Sequence, residues 1–153
     1  MSARASTSPT TASAAGSSTE AMDRAAYEDY VAAFNGRDYE RLGAHYADDV
    51  EFILSEERGL VFHGRQAILD LYRPFHRAVD EHVEIVRFAD GGDFIAAEVN
   101  ATFRPIPGQN QSVIELPHDK ILKVTTFAFY DLGADDRFTR IRACSYSRRY
   151  EEA

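Results

Sequence analysis

The segment YADDVEFILSEERGLVFHGRQAILDLY, residues 46–72, carries the strongest indication of how this chain folds. In its first half Val50, Phe52 and Leu54 alternate with the intervening residues, which is the period of a half-buried strand. Beyond Gly64 the period changes to that of an amphipathic helix. The apolar stripe of this helix consists of Ile68, Leu71, Tyr72 and Phe75. The segment therefore predicts the end of one helix, two short strands joined by a polar loop, and the start of another helix.

Size and charge exclude several classes of protein. The 153 residues suit a single domain, and the net charge of −8 disfavours a nucleic-acid or anionic-membrane partner. Cys144 is the single cysteine, so we expect no internal disulfide and a reducing, cytoplasmic location. No apolar run approaches the roughly 20 residues of a membrane-spanning helix.

The first twenty residues differ from the rest in composition. Sixteen of residues 1–20 are Ser, Thr, Ala or Gly. Such a segment buries too little apolar surface to offset its ordering entropy, so we predict a disordered tail. Met22 offers an alternative start, in which case residues 1–21 are an upstream extension. The folded domain is expected to span residues 21–153.

Two helices are predicted before residues 46–72. The first spans residues 21–35 and stops at Asn35-Gly36, because glycine readily adopts the left-handed conformation that ends a helix. Its apolar stripe consists of Tyr27, Tyr30, Val31 and Phe34. Asp38 can cap the second helix. The stripe of the second helix consists of Tyr39, Leu42, Gly43 and Tyr46.

Most of the chain after residue 82 is predicted to be strand. A hairpin is expected around Asp90-Gly91-Gly92-Asp93, and Pro74 should kink or restart the third helix. The predicted strands are His82–Phe88, Phe94–Phe103, Ser112–Leu116, Lys120–Tyr130 and Arg137–Tyr150. Three helices followed by an antiparallel meander predict an α+β domain, with the helices covering one face of a curved sheet.

This order of elements resembles the nuclear transport factor 2-like superfamily, which includes ketosteroid isomerase and the SnoaL-like polyketide cyclases. The motifs that carry the resemblance are YADD (residues 46–49), HGRQAILDLY (residues 63–72) and FYDLG (residues 129–133). The resemblance covers roughly residues 22–149. It implies a cone-shaped fold, with three N-terminal helices packed on a curved, mostly antiparallel sheet around one apolar pocket.

The resemblance to ketosteroid isomerase also implies a tyrosine site. It places Tyr30 at the tyrosine that donates a hydrogen bond to the reaction's oxyanion, with Tyr46 and Tyr72 supporting it. A phenol suits this role because it donates a strong hydrogen bond to developing negative charge in a dry pocket.

Two acidic residues of that family are missing from their expected positions. The position of its general base falls on Leu54, or on Ser55, and that of its second oxyanion donor falls on Thr126, or on Thr125. We therefore expect no competent steroid isomerase. Phe52, Leu54 and Thr126 are predicted to contact a substrate instead.

Three residues are alternative candidates for the missing base. His82 matches the position of the catalytic histidine in scytalone dehydratase. His76 lies one turn beyond Tyr72 and can point into the same cavity. The apolar face of the strand at residues 94–103 is expected to line the pocket, but the reverse register would bury Glu98 there.

The leading hypothesis is a cofactor-independent enzyme that performs proton transfer on a hydrophobic carbonyl or phenolic molecule, with Tyr30 and either His82 or His76 as catalytic residues. The alternative is a non-catalytic ligand-binding or dimerisation module of the same fold. No histidine spacing indicates a metal site. By analogy with the superfamily we expect a homodimer through the outer face of the last strand, on which the pattern places Arg140, Arg142, Tyr146 and Arg148.

Overall fold

The computed structural model describes residues 22–110 and 114–153. The predicted disordered tail, residues 1–20, lies outside the described residues, as do the first two residues of the strand predicted at Ser112–Leu116. The rest of that predicted strand, residues 114–116, is irregular. Pro117 follows directly and lacks the backbone N–H that a strand ladder requires, which accounts for the difference.

The described residues contain three helices, as predicted. Two of them precede the first strand, and the third lies between the second and third strands. The helices are α1 (Arg24–Asn35), α2 (Tyr39–Ala44) and α3 (Arg65–Ala78). The side chain of Asp23 accepts a hydrogen bond from the first turn of α1, and that of Asp38 does the same for α2. Pro74 lies inside α3, which runs on to Ala78 without a restart.

Six strands form a single curved sheet. They are β1 (Tyr46–Ser55), β2 (Leu60–His63), β3 (Val79–Asp90), β4 (Phe94–Pro105), β5 (Lys120–Leu132) and β6 (Phe138–Glu152). Their order is β2-β1-β6-β5-β4-β3, and all neighbours pair antiparallel except β1 and β6, which are parallel. The predicted α+β class and the mostly antiparallel sheet are thus confirmed.

The predicted second helix ends earlier than its stripe indicated. Tyr46 is the first residue of β1 and pairs with Phe138 of β6, whose N–H donates to the carbonyl oxygen of His45 at 2.8 Å. Pairing with a distant strand thus removes Tyr46 from the helix. Its side chain remains fully buried, so the apolar position was predicted correctly and its secondary structure was not.

A bulge in β6 changes which face its residues occupy. Thr126 pairs with Ser145 and Thr125 pairs with Ser147, which leaves Tyr146 as the extra residue. Before the bulge, Arg142 points outward as predicted. After it, Arg148 pairs with Val124 and lies on the inner side, so its predicted place on the outer face was wrong.

The core lies between the three helices and the inner face of the sheet. Gly43 of α2 lets α3 approach closely, because a Cβ placed there would come 3.3 Å from Cδ1 of Leu69. Among the described residues, no helix has the length and apolar character needed to cross a membrane.

Candidate active site

A cavity of about 540 Å³ opens between the helices and the inner face of the sheet. This volume is within the range of small-molecule sites. The predicted contact residues Phe52, Leu54, Tyr72 and Thr126 all lie in its wall, together with Tyr30. The apolar face of β4 also points inward, as expected, through Val99 and Ala101 among others.

Two pairs of tyrosine hydroxyls are hydrogen-bonded at the helix side of the cavity. The hydroxyls of Tyr30 and Tyr46 are 3.1 Å apart, and those of Tyr27 and Tyr130 are 3.0 Å apart. Tyr46 is fully buried behind Tyr30 and does not line the cavity. If Tyr46 donates to Tyr30, the hydroxyl hydrogen of Tyr30 is available to a ligand.

Tyr72 differs from these four tyrosines. Its ring lines the cavity, and its hydroxyl has no hydrogen-bond partner within residues 22–110 and 114–153. A buried phenol without a partner loses the hydrogen bonds that water would provide. Tyr72 is therefore ready to donate to a ligand that enters the cavity.

Burial keeps these phenols protonated. Desolvation raises the pKa of Tyr130 to about 12. The same cause raises the pKa values of Tyr27, Tyr30, Tyr46 and Tyr72 well above the ordinary range of a phenol. The hydroxyls lining the cavity are thus neutral hydrogen-bond donors at physiological pH.

A buried carboxylate, Glu81, also lines the cavity. Its Oε2 lies 3.0 Å from Nε2 of His76, and Nδ1 of His76 lies 2.9 Å from the hydroxyl of Tyr39. The charge of Glu81 contributes to the raised pKa values of both Tyr30 and Tyr72, secondary in each case to burial. A hydrogen-bond acceptor and two donors thus share one apolar pocket.

The two predicted catalytic histidines occupy different places. His76 is buried but does not line the cavity into which it was expected to point, because it contacts Glu81 and lies behind the cavity wall. His82 is exposed outside the cavity, because Glu81 and Val83 face inward and strand residues alternate. The position therefore does not suit the catalytic role predicted for His82. Glu98 also faces outward, beside Arg87 at 3.5 Å.

Glu81 was missed although the sequence carried a signal for it. It shares the period-2 pattern of Val79, Val83 and Ile85, which all face inward. A carboxylate in the middle of an apolar face is a candidate for a buried functional group. The predicted strand began at His82, one residue too late for this pattern to include it.

The rim of the cavity carries charges of both signs. Glu56, Glu57 and Arg58 lie in the turn between β1 and β2, and Arg148 lies on β6. In the part of the chain that the structure describes, no group of three or more His, Cys, Asp or Glu side chains is placed to hold a metal ion.

Comparison with protein families identifies the class of this domain. The model of the SnoaL-like domain matches residues 27–141, and the chain belongs to this family. The fold is therefore nuclear transport factor 2-like, as the resemblance implied. No curated protein matches the chain at a significant level.

Solved structures of similar fold have low sequence identity to this chain. A provisionally named ketosteroid isomerase from Kribbella flavida is 20% identical, with 84% of this chain and 79% of that chain covered and a TM-score of 0.61. A provisionally named polyketide cyclase from Xanthomonas campestris is 22% identical, with 76% and 84% covered and a TM-score of 0.63. An LEH-like epoxide hydrolase from M. tuberculosis is 16% identical, with 79% and 80% covered and a TM-score of 0.61. At these identities the likeness concerns the fold alone.

Proposed function

We propose that this protein is a cofactor-independent enzyme that performs proton transfer on a hydrophobic carbonyl or phenolic small molecule, with Glu81 as the general base. The observation that carries the proposal is the buried carboxylate in the wall of an apolar cavity. Among the described residues only Oε2 of Glu81 has a hydrogen-bond partner, so Oε1 is available to a substrate.

The surroundings of Glu81 suit this chemistry. The carboxylate lies in the cavity wall and is fixed by its hydrogen bond to His76, so a substrate in the cavity can meet a positioned acceptor. Tyr72, and Tyr30 when Tyr46 donates to it, supply neutral O–H donors in the same cavity, and such donors stabilise negative charge as it develops on oxygen.

The proposed step conserves protons and electrons. Glu81 removes a proton from carbon next to the carbonyl group, and the electron pair moves to the carbonyl oxygen. Tyr30 or Tyr72 donates a hydrogen bond to that oxygen. Return of the proton to another carbon gives an isomer, loss of a neighbouring hydroxyl gives a dehydrated product, and attack on a second carbonyl gives a ring.

A probe reaction tests the base without knowledge of the natural substrate. In nitrobenzisoxazole, removal of the ring C–H proton breaks the N–O bond and releases a coloured cyanonitrophenolate. The wild-type protein should accelerate this ring opening beyond the buffer rate. Glu81→Gln should reduce kcat/KM by about 10² or more, because the amide cannot accept the proton.

Two further variants complete this test. Glu98→Gln removes a carboxylate from the outer face and should leave the rate unchanged. Tyr30→Phe should lower the rate by about tenfold or more, because a donor to the developing phenolate is lost. A wild-type rate equal to that of Glu81→Gln would contradict the proposal. Binding of a naphthol without any ring opening would then favour the ligand-binding module.

A further inference from the structure

We infer that Tyr39 and His76 are positioning residues that hold Glu81 in its reactive state, an inference that rests on the proposed role of Glu81 as the base. The three side chains come from three different elements, α2, α3 and β3. They form a hydrogen-bonded chain from a partly exposed phenol at the surface to a carboxylate in the cavity wall.

With Glu81 ionised and His76 neutral, the hydrogen bonds of this chain have one direction. An ionised carboxylate only accepts, so Nε2 of His76 must carry the hydrogen that Oε2 of Glu81 receives. In the neutral imidazole Nδ1 is then an acceptor, and the hydroxyl of Tyr39 donates to it. Tyr39 therefore stabilises the same tautomer of His76 that an ionised Glu81 requires.

The imidazole ring has little freedom to turn. The side chain of His76 is 2% exposed. Its ring packs edge-on against Phe34 and is stacked on Tyr72, with centroid distances of 5.0 and 5.2 Å. Because Tyr72 itself lines the cavity, His76 contacts both the proposed base and one of the donors.

The backbone around Glu81 is held as well. Arg37 donates a hydrogen bond to the carbonyl oxygen of Glu81 at 2.6 Å. The side-chain amide of Asn35 bonds both the N–H and the carbonyl oxygen of Val83, at 2.9 and 2.8 Å. The start of β3 is thus tied to the last residue of α1 and to Arg37 just beyond it, at Glu81 itself and two residues further on. Such fixed geometry is what a positioned base requires.

The charges near Tyr39 are consistent with a neutral donor. Burial raises the pKa of Tyr39, while Arg37, Arg73 and Arg77 partly oppose that effect. The guanidinium of Arg73 also lies over the Tyr39 ring, 5.4 Å from its centroid. The ring is therefore held in place by contacts that do not involve the hydroxyl.

Tyr39→Phe tests the inference, because it removes the hydroxyl and keeps the ring and its contact with Arg73. Nitrogen NMR of labelled protein distinguishes the two tautomers of His76. The wild type should carry hydrogen on Nε2, and in the variant the Nδ1–H form should gain population, because Nδ1 has lost the donor that it accepts from. In the ring opening of nitrobenzisoxazole, kcat of the variant should fall by about tenfold at nearly constant KM. A loss of this size is at the lower end of what is seen when a residue that positions a catalytic group is removed.

Tyr146→Phe is the matched control. It removes a hydroxyl from an exposed tyrosine on the other side of the sheet and should change neither the His76 signals nor kcat. If Tyr39→Phe leaves both readouts unchanged, or lowers kcat while the His76 signals stay as in the wild type, the inference is wrong although Glu81 can still be the base. If the wild type shows no ring opening that depends on Glu81, the proposed function and this inference fail together.

Discussion

At the level of single residues, the polar groups in the cavity wall are of two kinds, phenols that can donate a hydrogen bond and a carboxylate that can accept one. The phenols of Tyr30 and Tyr72 keep their protons because desolvation raises their pKa values. Among the described residues, Glu81 has a hydrogen-bond partner, His76, on one of its oxygens only. A ligand that offers a C–H acid beside an oxygen acceptor complements this arrangement.

The buried phenols predict a loss of stability in alkali. In the unfolded chain a tyrosine loses its proton near its ordinary pKa of 10.0, whereas the pKa of Tyr130 in the folded protein is about 12. Between these values the folded state holds a proton that the unfolded state has lost. The free energy of unfolding should therefore be constant below pH ~10 and fall above it, by about 1.4 kcal/mol per pH unit for each such phenol.

Urea unfolding at pH values of about 9 and about 11 measures this effect. Tyr130→Phe should show a shallower fall than the wild type, since one of the contributing phenols has been removed. Equal unfolding midpoints for the wild type at the two pH values would contradict the prediction.

Sequence alone identified much of the cavity wall at this scale. Tyr30, Phe52 and Tyr72 were recognised because apolar periodicity and the family resemblance point to the same face. Glu81 was missed because a single carboxylate does not stand out from the many acidic residues of an acidic chain. Its proposed role depends on a partner, His76, whose distance of 3.0 Å arises from packing of the helix on the strand.

At the scale of elements, the contact between α2 and α3 sets the position of both Tyr39 and His76. Gly43→Val should destabilise the protein by about 1–3 kcal/mol, because the new side chain would overlap Leu69. Helix propensity acts in the opposite direction, so a loss of stability reports the contact itself.

Thermal or urea unfolding of Gly43→Val measures this loss. The double variant Gly43→Val/Leu69→Ala makes room for the valine and should be more stable than the sum of the two single changes predicts. Strict additivity of the two single effects would show that the side chains do not compete for the same space.

Element boundaries were predicted less well than element types. The apolar stripe that ends in Tyr46 correctly predicts that this side chain is buried. The residue nevertheless lies in a strand, because it pairs with the distant Phe138. The bulge at Tyr146 likewise has no local signal, and it moved Arg148 to the inner face. Both errors arise where a distant strand decides the local structure.

For the molecule as a whole, the order of the strands in the sheet could not be predicted from the hydrophobic periodicity of the sequence. A meander predicts that neighbours in sequence pair in space, and β3 to β6 follow this rule. The parallel pair of β1 and β6 joins the two ends of the domain and depends on the curvature of the complete sheet. Sequence periodicity carries no information about the pairing of these two distant strands.

The outer face of the sheet carries an aromatic patch, which we define as Phe127, Phe129 and Tyr146. These side chains are 40%, 45% and 72% exposed. We propose that a second copy of this chain covers the patch. Arg142 and Glu98 border it with opposite charges, so two copies related by a two-fold axis can pair each charge with its opposite.

Light scattering during gel filtration tests this proposal. The wild type should have the mass of a dimer, and Phe129→Asp should be a monomer that retains ring-opening activity. Glu84→Asp, a change on an exposed residue of β3, serves as the control and should remain a dimer. A monomeric wild type across the accessible concentrations would refute the proposal.

The direct passage from α3 into β3 has a consequence for how this family can diversify. Ala78 ends the helix and Val79 begins the strand, so no loop separates the elements that carry His76 and Glu81. One inserted or deleted residue at this junction would turn the carboxylate to the opposite face of the strand. Relatives that use the same histidine–glutamate pair should therefore have a fixed spacing of five residues between the two, as between His76 and Glu81. The turn between β1 and β2 should be free to vary in length.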